Sequence, residues 1–229
     1  MAQRRLLLFD LDGTLVDTLP FIIRCYREAV AALVTRAPSD EEIVATFGPA
    51  EPECLARYLR RCEREHCLHR PLVPEDYVHC AERFFEGYEQ GYRSGAVDLY
   101  PGMRNVLVTA QQRGWFTGIF TGKGRRTTDG TLKHLHLLEN FDVLISADDV
   151  NHSKPAPDGV ILAAECVQVP LGDVCVVGDS PADIEAGKAA ETSTIATLWG
   201  AFDREKTQRA GAGMVFEKVA QLDAWVSKN

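Results

Sequence analysis

The apolar positions of this chain follow three different spacings. Leu6-Leu7-Leu8-Phe9 is a continuous apolar run of strand length that stops at Asp10. From Leu19 the spacing becomes helical. Leu19, Ile22, Ile23, Tyr26, Ala29, Val30 and Leu33 fall on one face, and Pro38-Ser39 breaks the pattern. A second helical pattern follows Pro52, with Leu55, Tyr58, Leu59 and Cys62 on one face. A third follows Pro74, with Val78, Ala81, Phe84, Phe85, Tyr88 and Tyr92. Between about Val16 and Ser94 no run reads as a convincing strand. From Val97 the pattern becomes α/β. Compact apolar runs at Phe116–Phe120, Val143–Ile145, 174–177 and 194–198 alternate with helical stretches at 103–113, 125–138, Asp158–Val167 and 181–190. Compact runs of this kind are expected of parallel strands covered on both faces.

The opening strand therefore belongs with the later α/β part, and an all-helical block interrupts the two. The predicted fold class is α/β. It is a Rossmann-like three-layer core with a parallel sheet, formed by residues 1–15 and 96–229, plus an inserted all-helical domain over 16–95. Gly95 and Pro101-Gly102 lie near the return crossing and suit a hinge.

Ligands of open parallel sheets bind beyond the carboxyl ends of the strands. The polar residues after each apolar run fall there: Asp10, then Thr121-Gly122-Lys123-Gly124, then Ser146 and a loop to Lys154-Pro155, then Gly178-Asp179-Ser180-Pro181-Ala182-Asp183. Asp10 and Asp12 flank one residue and share a face on an extended backbone. Two such carboxylates repel unless a cation is near or one keeps its proton. The set suits Mg²⁺, which prefers oxygen ligands, together with a phosphoryl group held by Thr121, the amides near Gly122, and Lys154. A phosphate dianion approaching several carboxylates meets about 4 kcal/mol of repulsion per pair at 4 Å. A divalent cation and Lys154 reverse that balance.

Composition narrows the classes. The net charge of −8 argues against a nucleic-acid partner tracked by a basic surface. Arg4 and Arg5 precede only four apolar residues, too few for a signal segment, and no stretch approaches the ~20 apolar residues that span a bilayer. A cytoplasmic protein with no membrane partner is expected. The seven cysteines form no C-x-x-C pair, so a disulfide framework is not expected. Oligomeric state is not set by any of these features.

Asp10-Leu11-Asp12-Gly13-Thr14-Leu15-Val16-Asp17, Thr121, Lys154-Pro155 and Gly178-Asp179-Ser180-Pro181-Ala182-Asp183, in this order, resemble the haloacid dehalogenase superfamily in its phosphatase branch. Leu99-Tyr100-Pro101-Gly102 looks like that family's re-entry into the core. The resemblance implies roles. Asp10 would be the nucleophile, forming an aspartyl-phosphate. Asp12 would protonate the leaving oxygen and later activate water. The Asp10 carboxylate, the Asp12 backbone carbonyl and the Asp179 carboxylate would hold Mg²⁺. Thr121, Gly122 and Lys154 would bind the phosphoryl group. Asp183 would orient the metal's water shell or Lys154, or ligate directly. The insertion resembles a cap that closes over the substrate.

Plainer readings stand beside these. Ser180 and Asp183 also read as a helix start with a capping pair. Asp17 reads as the start of the first insertion helix, and Lys123 as facing solvent or the cap. Cys62, His66, Cys67 and His69 read as incidental on a charged helix, and Phe84, Phe85, Tyr88 and Tyr92 as packing. In the cap, Phe47-Gly48-Pro49-Ala50-Glu51 is the candidate loop facing the site, with Glu51 placed to meet a hydroxylated or cationic substrate group. The expected function is Mg²⁺-dependent hydrolysis of a small phosphomonoester, such as a phosphoglycolate-like or sugar phosphate. The partner would be a small phosphorylated metabolite. Alternatives are a phosphosugar mutase of β-phosphoglucomutase type, an inorganic pyrophosphatase, and a non-catalytic phosphate sensor. Dehalogenation is disfavoured, because the superfamily's dehalogenases lack a carboxylate at the place of Asp12.

Overall fold

The computed structural model describes residues 5–229; Arg4, the first of the two basic residues before the opening strand, lies outside them. The core is a parallel sheet of β1 (Leu6–Phe9), β2 (Phe116–Phe120), β3 (Val143–Ile145), β4 (Val174–Gly178), β5 (Ser193–Thr197) and β6 (Met214–Phe216). Its strand order is β3-β2-β1-β4-β5-β6. β1 is central: Leu6 pairs with Phe116 on one side and Val174 on the other. Side chains alternate across the sheet as strand geometry requires. Leu7 and Phe9 enter one apolar cluster, and Leu6 and Leu8 the other.

Helices α5 (Met103–Gln112) and α10 (Val219–Lys228) cover one face of the sheet. Helices α7 (Asp158–Val167) and α8 (Pro181–Ala189) cover the other. This is the three-layer α/β arrangement expected from the compact apolar runs. Between β1 and α5 lie α1 (Leu19–Val30), α2 (Asp40–Val44), α3 (Glu51–Arg64) and α4 (Pro74–Ser94). Their apolar faces meet one another, and their core is continuous with that of the first sheet face. No helix among the described residues is long and apolar enough to cross a membrane.

Some local expectations shift. The helix expected over 125–138 is α6 (Arg125–His134). It stops because His136 adopts a left-handed φ of 54°, and a short 3₁₀ turn follows at Leu138–Asn140. β5 begins one residue earlier than its apolar run. α1 ends at Val30, before Leu33 and the Pro38-Ser39 pair expected to break it, and Pro38-Ser39 instead starts a helix: Ser39 and Glu42 form a reciprocal capping pair for α2. Asp17 lies outside α1, which Thr18 precedes directly; the Asp17 carboxylate accepts a hydrogen bond from the Tyr100 hydroxyl at 3.2 Å.

Candidate active site

The backbone leaves the sheet at Asp10, whose N–H still donates to the Val177 carbonyl at 2.8 Å. This holds its carboxylate at the carboxyl edge, between β1 and β4. Lys154 Nζ reaches it from the β3–α7 loop, donating to Asp10 Oδ1 at 2.6 Å and to Asp183 Oδ1 at 2.5 Å. Oxygens of Asp10, Asp179 and Asp183 all lie within 4.8 Å of one another. Three buried or nearly buried carboxylates thus share one ammonium. Burial pushes the Asp10 pKa up to about 7 against the pull of Lys154, and the charge of Asp183 adds to the rise. Asp179 is raised well above the usual carboxylate range by burial and then by Asp10 and Asp183. Burial works against the Lys154 ammonium, but Asp10 and Asp183 outweigh it and raise its pKa.

Asp183 serves both readings of its sequence position. Its Oδ2 accepts from the Ser180 amide at 3.0 Å and the Ser180 hydroxyl at 2.7 Å, starting α8. Its Oδ1 holds Lys154. Asp179 is fixed from the opposite side, where the Thr14 hydroxyl donates to its Oδ1 at 2.7 Å. Gly13, at φ 83°, makes this approach possible: a Cβ there would lie 2.4 Å from Asp179 Oδ2.

The Asp12 side chain turns away from this cluster. Its Oδ1 accepts from the Thr18 hydroxyl at 2.5 Å and from Lys123 Nζ at 3.2 Å. Lys123 is buried, and its ammonium also donates to the Tyr88 hydroxyl of α4 and lies 4.1 Å from the centroid of that ring. It faces the insertion, as its sequence position suggested, and touches Asp12 as well. Thr121 is buried at the end of β2, where its hydroxyl accepts from the Lys123 amide at 3.2 Å.

The 47–51 loop lies across the loop after β2. A Cβ on Gly122 would sit 2.9 Å from the Gly48 carbonyl oxygen. Glu51 accepts from the Gly124 amide at 2.9 Å and from the Thr127 hydroxyl. Its carboxyl thus sits at the N-terminus of α6, where a helix favours an anion, while burial raises its pKa against the pull of Lys123 and of these hydrogen bonds. Asp10, Asp12, Glu51, Thr121, Gly122, Lys154, Asp179 and Asp183 all line one cavity of about 560 Å³.

The sequence profile of the haloacid dehalogenase-like hydrolases matches residues 7–197. The chain belongs to this family. Pyrophosphatase PpaX of Anoxybacillus flavithermus is 28% identical over 216 residues, 94% of each chain. Phosphoglycolate phosphatase of Escherichia coli K12 is 26% identical over 224 residues, covering 93% of this chain and 89% of that one. Among solved structures, a hydrolase from Pseudomonas syringae superposes with a TM-score of 0.79 at 26% identity, over 98% of this chain and 99% of its own. CbbY from Rhodobacter sphaeroides, in complex with xylulose-(1,5)bisphosphate, gives 0.79 at 25% identity over 96% of both chains.

As a haloacid dehalogenase-like hydrolase, the chain carries supporting residues that the pattern reading passed over. Thr18, which directly precedes α1, spends its hydroxyl on Asp12 and makes no side-chain cap for the helix. Thr14 sits inside the Asp-x-Asp-Gly-Thr run, but which partner it meets depends on a residue far along the chain. Thr207 donates to the Asp179 carbonyl at 2.7 Å; it lies on α9 (Arg204–Arg209), a helix whose sequence has no apolar stripe. Away from the site, Cys62 is buried in the insertion core and the Cys67 thiol donates to the Cys62 carbonyl at 3.5 Å.

Proposed function

We propose that this hydrolase is a Mg²⁺-dependent phosphatase acting on a small phosphomonoester through an aspartyl-phosphate on Asp10. The observation that carries this reading is the division of labour between the two acids: Asp10 lies in the carboxylate cluster against Lys154, while Asp12 is held apart on Thr18 and Lys123. The donor set fits a hard divalent cation, being all carboxylate oxygen with only one ammonium among three acids. Asp10 and Asp179, with the Asp12 carbonyl, would hold Mg²⁺, and Asp183 would orient Lys154 or the ion's water shell. Bound there, Mg²⁺ would screen the carboxylates and polarise a phosphoryl oxygen.

An Asp10 oxygen attacks phosphorus, and the bond from phosphorus to the ester oxygen breaks. Asp12 gives its proton to that oxygen, which leaves as an alcohol. Asp12, now a carboxylate, takes a proton from water as the water oxygen attacks the acyl phosphate, freeing inorganic phosphate and Asp10. Lys154 and the Thr121–Gly122 segment neutralise and orient the phosphoryl oxygens. Residues 16–95 act as a cap over a core of 1–15 and 96–229 and exclude water from the first step.

The test is phosphate release from p-nitrophenyl phosphate with and without Mg²⁺. Activity is expected only with the ion, and none in Asp10→Asn. Full activity of Asp10→Asn would overturn the reading. The names of the PpaX relatives favour one second reading, inorganic pyrophosphate as substrate, so that compound belongs in the same assay.

A further inference from the structure

The cavity above Asp10 has a chemical character of its own. Leu19, Ile22, Val44, Phe47, Phe84 and Tyr88, all from the insertion, line it opposite the carboxylate cluster. Apolar walls of this kind recognise apolar ligand bodies, with a few polar groups fixing orientation. The polar groups inside this wall are engaged, and Glu41 lies exposed at its edge. Glu51 is bound to Gly124 and Thr127.

The cations that line the cavity are engaged as well. Lys154 holds Asp10 and Asp183. Lys123 holds Asp12 and the face and hydroxyl of Tyr88. Lys206, exposed at the rim, pairs with Asp203 at 2.9 Å. An anionic leaving group such as glycolate or phosphate would have to share Lys154 with the transferring phosphoryl group, would find Lys123 held by Asp12, and would meet Glu41 and Glu185 on the lining. A cationic leaving group would find the Tyr88 face taken by Lys123 and only the exposed carboxylates Glu41 and Glu185 to meet, where water and salt screen their pull. A sugar would bring several hydroxyls to a wall of Leu19, Ile22, Val44 and Phe84 and leave them unpaired.

From this lining we infer that the leaving group is an uncharged alcohol with an apolar aliphatic or aromatic body. The inference rests on the phosphatase reading and narrows its substrate class. Phosphate oxygens sit on Lys154 and the Thr121 loop, and the alcohol's apolar part fills the space between Leu19, Ile22 and Phe84. The charges of the cavity act as selection against charged competitors.

The experiment compares kcat/KM, with Mg²⁺, for benzyl phosphate, 2-phosphoglycolate, phosphocholine, glucose 6-phosphate and inorganic pyrophosphate, with p-nitrophenyl phosphate as the general activity probe. The organic members of the series are alkyl esters, so an acidic phenol does not decide the ranking. Benzyl phosphate is expected to lead by about tenfold or more, the scale on which apolar pockets discriminate. Leu19→Lys, which adds a cation to the wall at a partly buried position, should raise the phosphoglycolate-to-benzyl ratio by a similar factor. If that variant fails to fold, inhibition of the wild type by benzyl alcohol but not by glycolate gives the same reading.

Turnover of phosphoglycolate, phosphocholine, glucose 6-phosphate or pyrophosphate ahead of benzyl phosphate overturns the inference and leaves the phosphatase reading standing. Absence of turnover for every compound, p-nitrophenyl phosphate included, overturns both.

Discussion

Asp10 and Asp12 are separated by one residue and meet different surroundings. Asp10 sees Lys154, Asp179 and Asp183; Asp12 sees Thr18 and Lys123. Of the two, Asp12 is the one held apart from the cluster, and the proposed function has it carry a proton between alcohol and water. Its loss should therefore depend on the leaving group. With p-nitrophenyl phosphate the phenolate departs without an acid, so Asp12→Asn should give a burst of p-nitrophenolate matching the enzyme concentration, then slow turnover. With an alkyl phosphate the first step itself should slow by roughly 10²–10⁴-fold. Equal losses on both esters without a burst, measured by rapid mixing, would remove the proton-carrying role from Asp12. That Asp10 and Asp12 lie at the carboxyl edge of the sheet was legible from the Asp-x-Asp-Gly-Thr run that ends the first apolar stretch. The Thr18 contact was not, because a threonine before an apolar helical stretch looks the same whether its hydroxyl caps the helix or serves a neighbour.

At the scale of elements, α1 and α4 decide how the insertion is built. They cross where Gly91 meets Phe21, and a Cβ on Gly91 would lie 2.1 Å from the Phe21 ring. Gly91→Ala gains about 1 kcal/mol of helix propensity, but overpacking costs about 1–3 kcal/mol and the contact is far too close for the ring to absorb. Net destabilisation is expected, measured by urea unfolding; a stabilised variant would mean that the crossing is looser than described. The helices and strands here were legible wherever the apolar spacing ran long enough: α3, α4 and β1 to β4 lie where their patterns put them, α1 ends at Val30 before the expected Leu33, and β5 is shifted by one residue. β6 was not, since Met214–Phe216 is a three-residue edge strand with no fully buried side chain. α9 was hidden by its polar sequence. α2 carried a readable signal, Ser39 followed by Glu42, that was masked by the neighbouring proline. The Glu51 bond to the start of α6 is a contact between the insertion and the core, which spacing within either one cannot reveal.

The molecule as a whole carries ion pairs in the insertion that respond to acid. Arg36 and the Ser39 amide hold the Glu42 pKa down to about 2, from an ordinary 4.5. Arg70 and the Val73 amide hold Asp76 down to about 2, from 3.8. Both folded-state values lie below the unfolded ones, so this stabilisation is complete above pH 4.5 and is lost as the pH falls toward 2. Melting temperatures should drop through that window, and less so in a double Arg36→Met, Arg70→Met variant. A flat profile from pH 4.5 to 2, or an unchanged slope in the variant, would contradict the assignment.

The strand order has a consequence for how the protein is made. β1, the middle of the sheet, comes first along the chain, yet its neighbours are β2 and β4. A ribosome adding roughly 5–20 residues per second needs on the order of ten seconds between Leu6–Phe9 and the last residue of Val174–Gly178. During that interval the four helices of the insertion emerge complete, and β1 can pair with β2 on one side while its other edge waits for β4. The growing chain thus carries Asp10 from the start and receives Lys154, Asp179 and Asp183, which surround it, only later. A product truncated before β4 would keep Asp10 on an apolar strand with one open edge, a form that chaperones and proteases are suited to recognise.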